Sequence, residues 1–294
     1  MHTTFTEHLN THSLQFLTMS SGTANPLLNL SGGGVKLTSA HPAPDGCPGL
    51  VFNKSVGDEW RCFSRFPTSV SESYAGCGDL SQLELTHAPP GYTYLRCPSP
   101  GSGGGLVAHK DSLVIAVDGA CPHNGTDRAK KSACGIYFGT GNYGNMSFRL
   151  PDELKGVPQK HTNNRAELVA AVKALSEAKH SLEVSGDDEA LCEVKRIIIK
   201  SDSAYLVDSV GGGKNGEKPY MISWLLNGFK TAQGEVVKNL QLWNDLVKQI
   251  LSLWEMGIVV QFWHVPRSMN ADADKLANRG LDEQLDIWRC PWKI

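Results

Sequence analysis

The sequence predicts an α/β fold: a mixed five-stranded sheet flanked by helices, in the order β-β-β-α-β-α-β-α. Three observations carry this reading. From Leu106 onward, short apolar runs that end at turn residues alternate with longer stretches of helical periodicity. One run, Arg196 to Lys200, contains three consecutive isoleucines, the pattern of a strand buried on both faces. The first three strand-like runs are joined by short connections, which suits an antiparallel meander.

The first strand is Leu113 to Val117, ending at Asp118. Ala133 to Phe138 and Met146 to Arg149 follow, separated by a Gly-rich turn at 139–145. Leu168, Ala171, Val172 and Leu175 recur at helical spacing, giving an amphipathic helix that begins near Asn163. The Ile-rich strand comes next, and Ile258 to His264 reads as the fifth strand. Between these two lie helix candidates at 203–209, 219–227 and 240–255, and a last helix runs from about Ala271 to Arg279. Trp243, Leu246, Ile250 and Trp254 share one helical face and are expected in the core.

The chain has 294 residues and a formal net charge of -2, which argues against a strongly basic nucleic-acid arm. No apolar run approaches the roughly 18 residues that span a bilayer, so no membrane association is expected. Residues 1–105 are poor in charge and rich in Gly, Pro, Ser and Thr. We therefore divide the chain into a low-complexity, mostly disordered region and linker over 1–105 and a catalytic domain over 106–294. None of the eight cysteines lies two to four residues from another, so zinc knuckles are unsupported. The first 20 residues contain Glu7, no Lys or Arg and no compact apolar core. They read as no targeting segment, and an intracellular location, nuclear or cytoplasmic, with reduced thiols is expected.

Four carboxylates fall at the ends or first turns of these elements: Asp118, Glu167, Asp202 and Asp274. If the first and Ile-rich strands lie side by side in parallel, Asp118 and Asp202 emerge at one sheet edge, where open α/β sheets place their sites. Carboxylates so gathered repel one another unless cations lie between them, and hard oxygen ligands suit Mg²⁺ or Mn²⁺. Each acid alone also has an ordinary reading: a turn residue, a helix N-cap, a first-turn acid or a solvated face.

The flanking residues decide between these. Asp118-Gly119-Ala120, Thr162-Asn163-Asn164-Arg165-Ala166-Glu167, Ser201-Asp202-Ser203 and Ala273-Asp274-Lys275-Leu276-Ala277 resemble, in order, the four motifs of type 1 ribonuclease H. Trp224, the run Asn227-Gly228-Phe229-Lys230-Thr231, Gly234 and Asn239 resemble the basic protrusion of its eukaryotic and bacterial members. The resemblance implies a ribonuclease H-like sheet and an endoribonuclease that hydrolyses the RNA strand of an RNA/DNA hybrid, leaving 5′-phosphate ends. It implies two Mg²⁺ ions, with Mn²⁺ as an alternative, held by Asp118 as the bridging ligand, Glu167 and Asp202 on one ion and Asp274 on the other. Such a pair of ions clamps the attacking and leaving oxygens of an in-line displacement.

The resemblance also places substrate contacts. Cys121, His123, Asn124, Glu167 and Ser203 fall where the RNA minor groove is read, with Asn124, Asn164 and Trp224 on the DNA side and Lys160, Thr162 and Asn239 in a DNA-phosphate pocket. His264 stands ten residues before Asp274, the distance at which many members carry a loop histidine. However, His264-Val265-Pro266 matches a strand end, and Pro266 to Asn270 resembles the shorter, histidine-free connection. The aromatic and basic pattern of the small hybrid-binding module that often precedes the domain is not found in 1–105. Gly211-Gly212-Gly213-Lys214 lacks the Ser or Thr and the leading strand of a phosphate-binding loop and reads as a plain loop. Lys214, Lys218, Lys230, Lys238 and Lys248 are diluted by acids. The expectation is therefore a monomeric, hybrid-cleaving hydrolase. A catalytically silent hybrid-binding domain and a fragment of a retroelement polyprotein are the alternatives.

Overall fold

The computed structural model describes residues 62–66, 83–86, 91–98, 106–154, 156–184 and 190–283, all within one compact unit, Leu37–Ile294. The strands are β1 (Ser64–Arg65), β2 (Glu84–Thr86), β3 (Thr93–Pro98), β4 (Leu106–Ala120), β5 (Ala133–Tyr137), β6 (Met146–Arg149), β7 (Glu153–Leu154), β8 (Val157–Pro158), β9 (Arg196–Ser201) and β10 (Val259–His264). The helices among the described residues are α1 (Asn163–Val184), α2 (Ala204–Gly211), α3 (Tyr220–Asn227), α4 (Leu240–Glu255) and α5 (Ala271–Gly280), with a 3₁₀ turn at Arg267–Met269.

The five expected strands are β4, β5, β6, β9 and β10, and they form a mixed sheet flanked by helices. β9 lies at its centre, parallel to both β4 and β10, and all six of its residues are buried, as the isoleucine run requires. Helix α1 packs on β4 and β5 from one face and α5 packs on β4, β5 and β6. On α4, Trp243, Leu246 and Ile250 are buried as expected, whereas Trp254 is half-exposed and Leu253 takes the inward place.

The sheet is larger than five strands. β1, β2 and β3 join it to make eight, and all three come from the region before residue 105. β1 adds a parallel edge strand to β10, with Arg65 opposite Phe262. β4 starts seven residues earlier than its apolar run, and this early half pairs with β3, with Pro98 opposite Leu106. β3 and β5 lie end to end along one edge of β4, joined where the Thr93 N–H donates to the Phe138 carbonyl at 2.8 Å. Gly91 and Gly139 make that junction possible, because a Cβ on Gly139 would lie 1.8 Å from the Gly91 carbonyl oxygen. The boundary expected at 105/106 is therefore bridged by strand pairing. Most of the region for which disorder was expected, and residues 99–105 of the expected linker, lie outside the described residues. No helix among the described residues is long and apolar enough to cross a membrane.

Candidate carboxylate site

The parallel register of β4 and β9 sets Ala116 opposite Lys200. Two residues further along the chain from each come Asp118, still within β4, and Asp202, just past the end of β9, so the two acids stand together at the C-terminal edge of this strand pair. Asp118 does not close its strand: β4 continues to Ala120, and Asp118 pairs with Gly135 of β5.

Two glycines bring the helix-borne acids to the same place. A Cβ on Gly119 would lie 2.5 Å from the Glu167 backbone nitrogen, so only glycine lets α1 settle this close to β4. On the opposite face, a Cβ on Gly135 would lie 2.1 Å from the Ala273 carbonyl oxygen, and glycine there seats α5 and its Asp274. Asp118, Glu167, Asp202 and Asp274 line one cavity of about 410 Å³, together with Gly119, Ala120, Cys121, Pro122, Asn163, Arg267, Asn278 and Leu281.

The electrostatics follow from the burial. Asp118 is nearly enclosed, and burial together with the charges of Asp202, Asp274 and Glu167 pushes its carboxyl up to about 8. Burial also raises Glu167, opposed by its hydrogen bonds: the Ser203 hydroxyl and the Asn163 amide, at 2.7 Å, both donate to its carboxylate. Ser203 is also the N-cap of α2, accepting from the Leu206 N–H at 3.2 Å. The cap that Asp202 could have made is made by its neighbour, which leaves the Asp202 carboxylate for the cavity. The Asn270 amide donates to Asp202 at 3.3 Å and to the Val117 carbonyl at 3.0 Å, tying the loop before α5 to both strands. Arg267, in the 3₁₀ turn, donates to Asp274 and is the cation at the cavity mouth.

With these partners in place, no three His, Cys, Asp or Glu side chains among the described residues are gathered closely enough to hold a metal ion. The donor set itself still fits a divalent cation. It has four hard carboxylates around one cavity, one of them holding a proton well above the carboxylate range because it is buried and its neighbours are anionic. Asp118, Glu167, Asp202 and Asp274 are the residues that could hold such ions.

The other expected site residues are dispersed more widely. Cys121 lines the cavity and Ser203 abuts it through Glu167, while the Asn124 side chain accepts from the Asn163 N–H at 3.0 Å at its rim. His123 is exposed and has a φ of 60, a left-handed conformation that turns the loop after β4. Lys160, Thr162 and Asn164 lie at the start of α1, where the Thr162 hydroxyl oxygen accepts from the Arg165 N–H at 3.2 Å. Trp224 and Asn239 do not line the cavity. Trp224 lies on α3, stacked on Tyr220 with ring centres 6.1 Å apart, and Asn239 precedes α4 with a φ of 59. His264 does not line it either: its ring is near Lys214, Arg65 and Asp208, and burial lowers its pKa.

A profile described as RNase H matches residues 110–282, more than half of the chain. The chain belongs to the RNase H family. Its match to Ribonuclease H of Crithidia fasciculata is 30% identical over 164 residues, covering 50% of this chain and 31% of that protein. Ribonuclease H1 of Homo sapiens is 30% identical over 180 residues, covering 60% and 52%. The chain thus spans a third to a half of the length of these two relatives. Ribonuclease H of Chlorobaculum parvum is 32% identical over 173 residues and is covered over 97% of its length. Within this RNase H chain, the matched segment starts inside β4, so β1, β2 and β3 lie outside it.

Pro122, Asn278 and Leu281 complete the lining unannounced, and Arg267 is the charged residue of the cavity for which the sequence suggested no role. Its signal was the distance to Asp274 across a turn and the first helical turn, which is legible only once the loop is known to double back.

Proposed function

We propose that this RNase H chain is an endoribonuclease that hydrolyses the RNA strand of RNA/DNA hybrids, with Asp118, Glu167, Asp202 and Asp274 holding two Mg²⁺ or Mn²⁺ ions. The carrying observation is that four carboxylates from β4, the end of β9 and two helices line one cavity, in which burial, together with the other three acids, pushes Asp118 up to about 8. Bound divalent ions would supply the Lewis-acid charge that activates water and stabilises the departing 3′-oxygen. On this reading the P–O3′ bond of the RNA breaks, and the new 5′ end keeps the phosphate.

The remaining work falls to the protein's own groups. Ser203 and Asn163 hold the Glu167 carboxylate, and Asn270 holds that of Asp202, so two ligands are oriented in advance. Asp118 has to release its proton before it can act as a ligand. Arg267 supplies a cation at the mouth, toward which a polyanionic backbone is drawn. To the RNA strand we assign Cys121, His123, Asn124, Glu167 and Ser203. On the DNA side we assign Asn164, Trp224, Lys160, Thr162 and Asn239, with Asn124 between the strands. Tyr220 is exposed and stacks on the half-buried Trp224, which packs in turn on Trp243, and this aromatic pair is the face we assign to one strand.

The test is to incubate the full chain with labelled RNA/DNA hybrid, RNA duplex and DNA duplex, in Mg²⁺ or EDTA, alongside Asp202→Asn. Cleavage confined to the hybrid, dependent on metal and reduced by roughly a hundred- to a thousandfold in the variant, is expected, the scale of losing one charge-stabilising group. Binding of the hybrid without cleavage would instead make the chain a silent binding domain.

A further inference from the structure

Two ion pairs reach into the RNase H sheet from strands outside the family-matched segment. Lys200 on β9 is buried, and its Nζ lies 2.7 Å from the Glu84 carboxylate on β2. Arg65 on β1 is buried as well, donating through one terminal nitrogen to the Asp208 carboxylate at 2.7 Å and to the Gly212 carbonyl. The partners are 116 and 143 residues apart in sequence. A buried cation stripped of its counter-charge is costly, so neither Lys200 nor Arg65 can keep its place without the other half of its pair. Asp208 lies in the last turn of α2, where the helix dipole opposes an anion, and Arg65 offsets that as well. The Nε and second terminal nitrogen of Arg65 are buried without partners, so the bonds to Asp208 and Gly212 are what fix this guanidinium.

Both pairs close on the same short segment. Lys200 precedes Asp202 by two residues and Asp208 follows it by six. Between them stand Asp202, whose carboxylate faces the cavity, and Ser203, whose hydroxyl caps α2 and donates to Glu167. Upstream, the segment is held by β9 between β4 and β10; downstream, it is held by α2, which packs on β1 and β10. A displacement of α2 along its axis carries Ser203 with it, and through Ser203 the Glu167 carboxylate.

We propose that Glu84 and Arg65 are positioning residues of the carboxylate site. From outside the matched family segment they fix the Lys200 and Asp208 ends of the stretch that presents Asp202 and Ser203. Neither touches the substrate or the reacting atoms. The proposal rests on the reading of the four acids as a cation-holding hydrolytic centre.

The experiment uses the full chain with Glu84→Gln, Arg65→Gln and the exchanged pair Arg65→Asp with Asp208→Arg. It measures Mn²⁺ binding by calorimetry, kcat and KM on hybrid, and folding by circular dichroism. Each single variant should stay folded, bind Mn²⁺ about tenfold more weakly and lose about tenfold in kcat with KM little changed, the scale on which groups that orient metal ligands act. The exchanged pair should recover most of both. Folded single variants with wild-type Mn²⁺ affinity and kcat would overturn the proposal. Should either variant melt below the assay temperature, Arg65→Lys and Glu84→Asp keep the charge but change its reach, and wild-type Mn²⁺ affinity in both would overturn it equally. Failure of the underlying reading looks different: the wild-type chain itself would bind no Mn²⁺ and cleave no hybrid.

Discussion

Arg267 and Asp274, seven residues apart, are joined across the mouth of the carboxylate cavity, the guanidinium donating to the carboxylate. The Arg267 side chain is 73% exposed and the Asp274 side chain 25%, so the pair is open to water and can exchange. Any cation that binds Asp274 has to compete with this internal one. Arg267→Ala should therefore tighten Mn²⁺ binding by up to about fivefold, the equivalent of the roughly 0.2–1 kcal/mol carried by an exposed pair. Calorimetric titration checks this, and weaker binding would mean that the arginine organises Asp274 instead of competing for it.

The proton on Asp118 gives a pH signature in the absence of divalent metal. In the unfolded chain this carboxyl has its ordinary value of 3.8, while in the folded chain burial and the neighbouring acids push it to about 8. Between those values the folded state binds a proton that the unfolded state has released, so stability falls as pH rises through this window. The contribution is fully present below about pH 4 and lost above about pH 8. Thermal melts in EDTA should show this decline, and Asp118→Asn should flatten it. Metal binding at pH 7 should in turn release about one proton, which calorimetry in buffers of different ionisation enthalpy will count.

The two glycines beneath the helices should be intolerant although neither carries chemistry. Gly119→Ala would press on the α1 backbone and Gly135→Ala on that of α5. Each should cost about 1–3 kcal/mol in denaturant unfolding, the range for overpacking a tight contact. Each should also lower cleavage in the fraction that remains folded, because Glu167 or Asp274 retreats from Asp118.

His264 should prove dispensable for the chemistry. It lies off the cavity, against Lys214, Arg65 and Asp208, where burial keeps the ring neutral at neutral pH. His264→Ala should retain most of the cleavage rate. A fall of more than about a hundredfold, the scale of a general acid–base contribution, would place the ring in the reaction.

The parts of the fold legible in the sequence are those settled by neighbours in the chain. The isoleucine run of β9, the spacing of α1 and the amphipathic face of α4 each declare their element within a few residues, and their bounds agree with expectation to within a residue or two. The shared edge of Asp118 and Asp202 was also readable, since it needs only that two apolar strands run parallel. β1 and β2 were not readable, because strands of two and three residues have no periodicity and exist only through partners far along the chain. The same limit hid the start of β4, whose first half is interrupted by His109, Lys110, Asp111 and Ser112 and is held by β3. Arg267 went unremarked for a related reason, since a charge in a turn looks solvated until the turn is seen folded back on an acid.

The pairing of β1 with β10 has a consequence for how the protein is made. Ser64 and Arg65 leave the ribosome long before Gln261 and Phe262 are synthesised, so the first strand of the sheet waits until nearly the whole domain exists before its hydrogen bonds can close. Arg65 likewise emerges well before Asp208 can neutralise it. The earliest described residues of the chain are therefore secured only once β10 exists, and their docking closes that edge of the sheet.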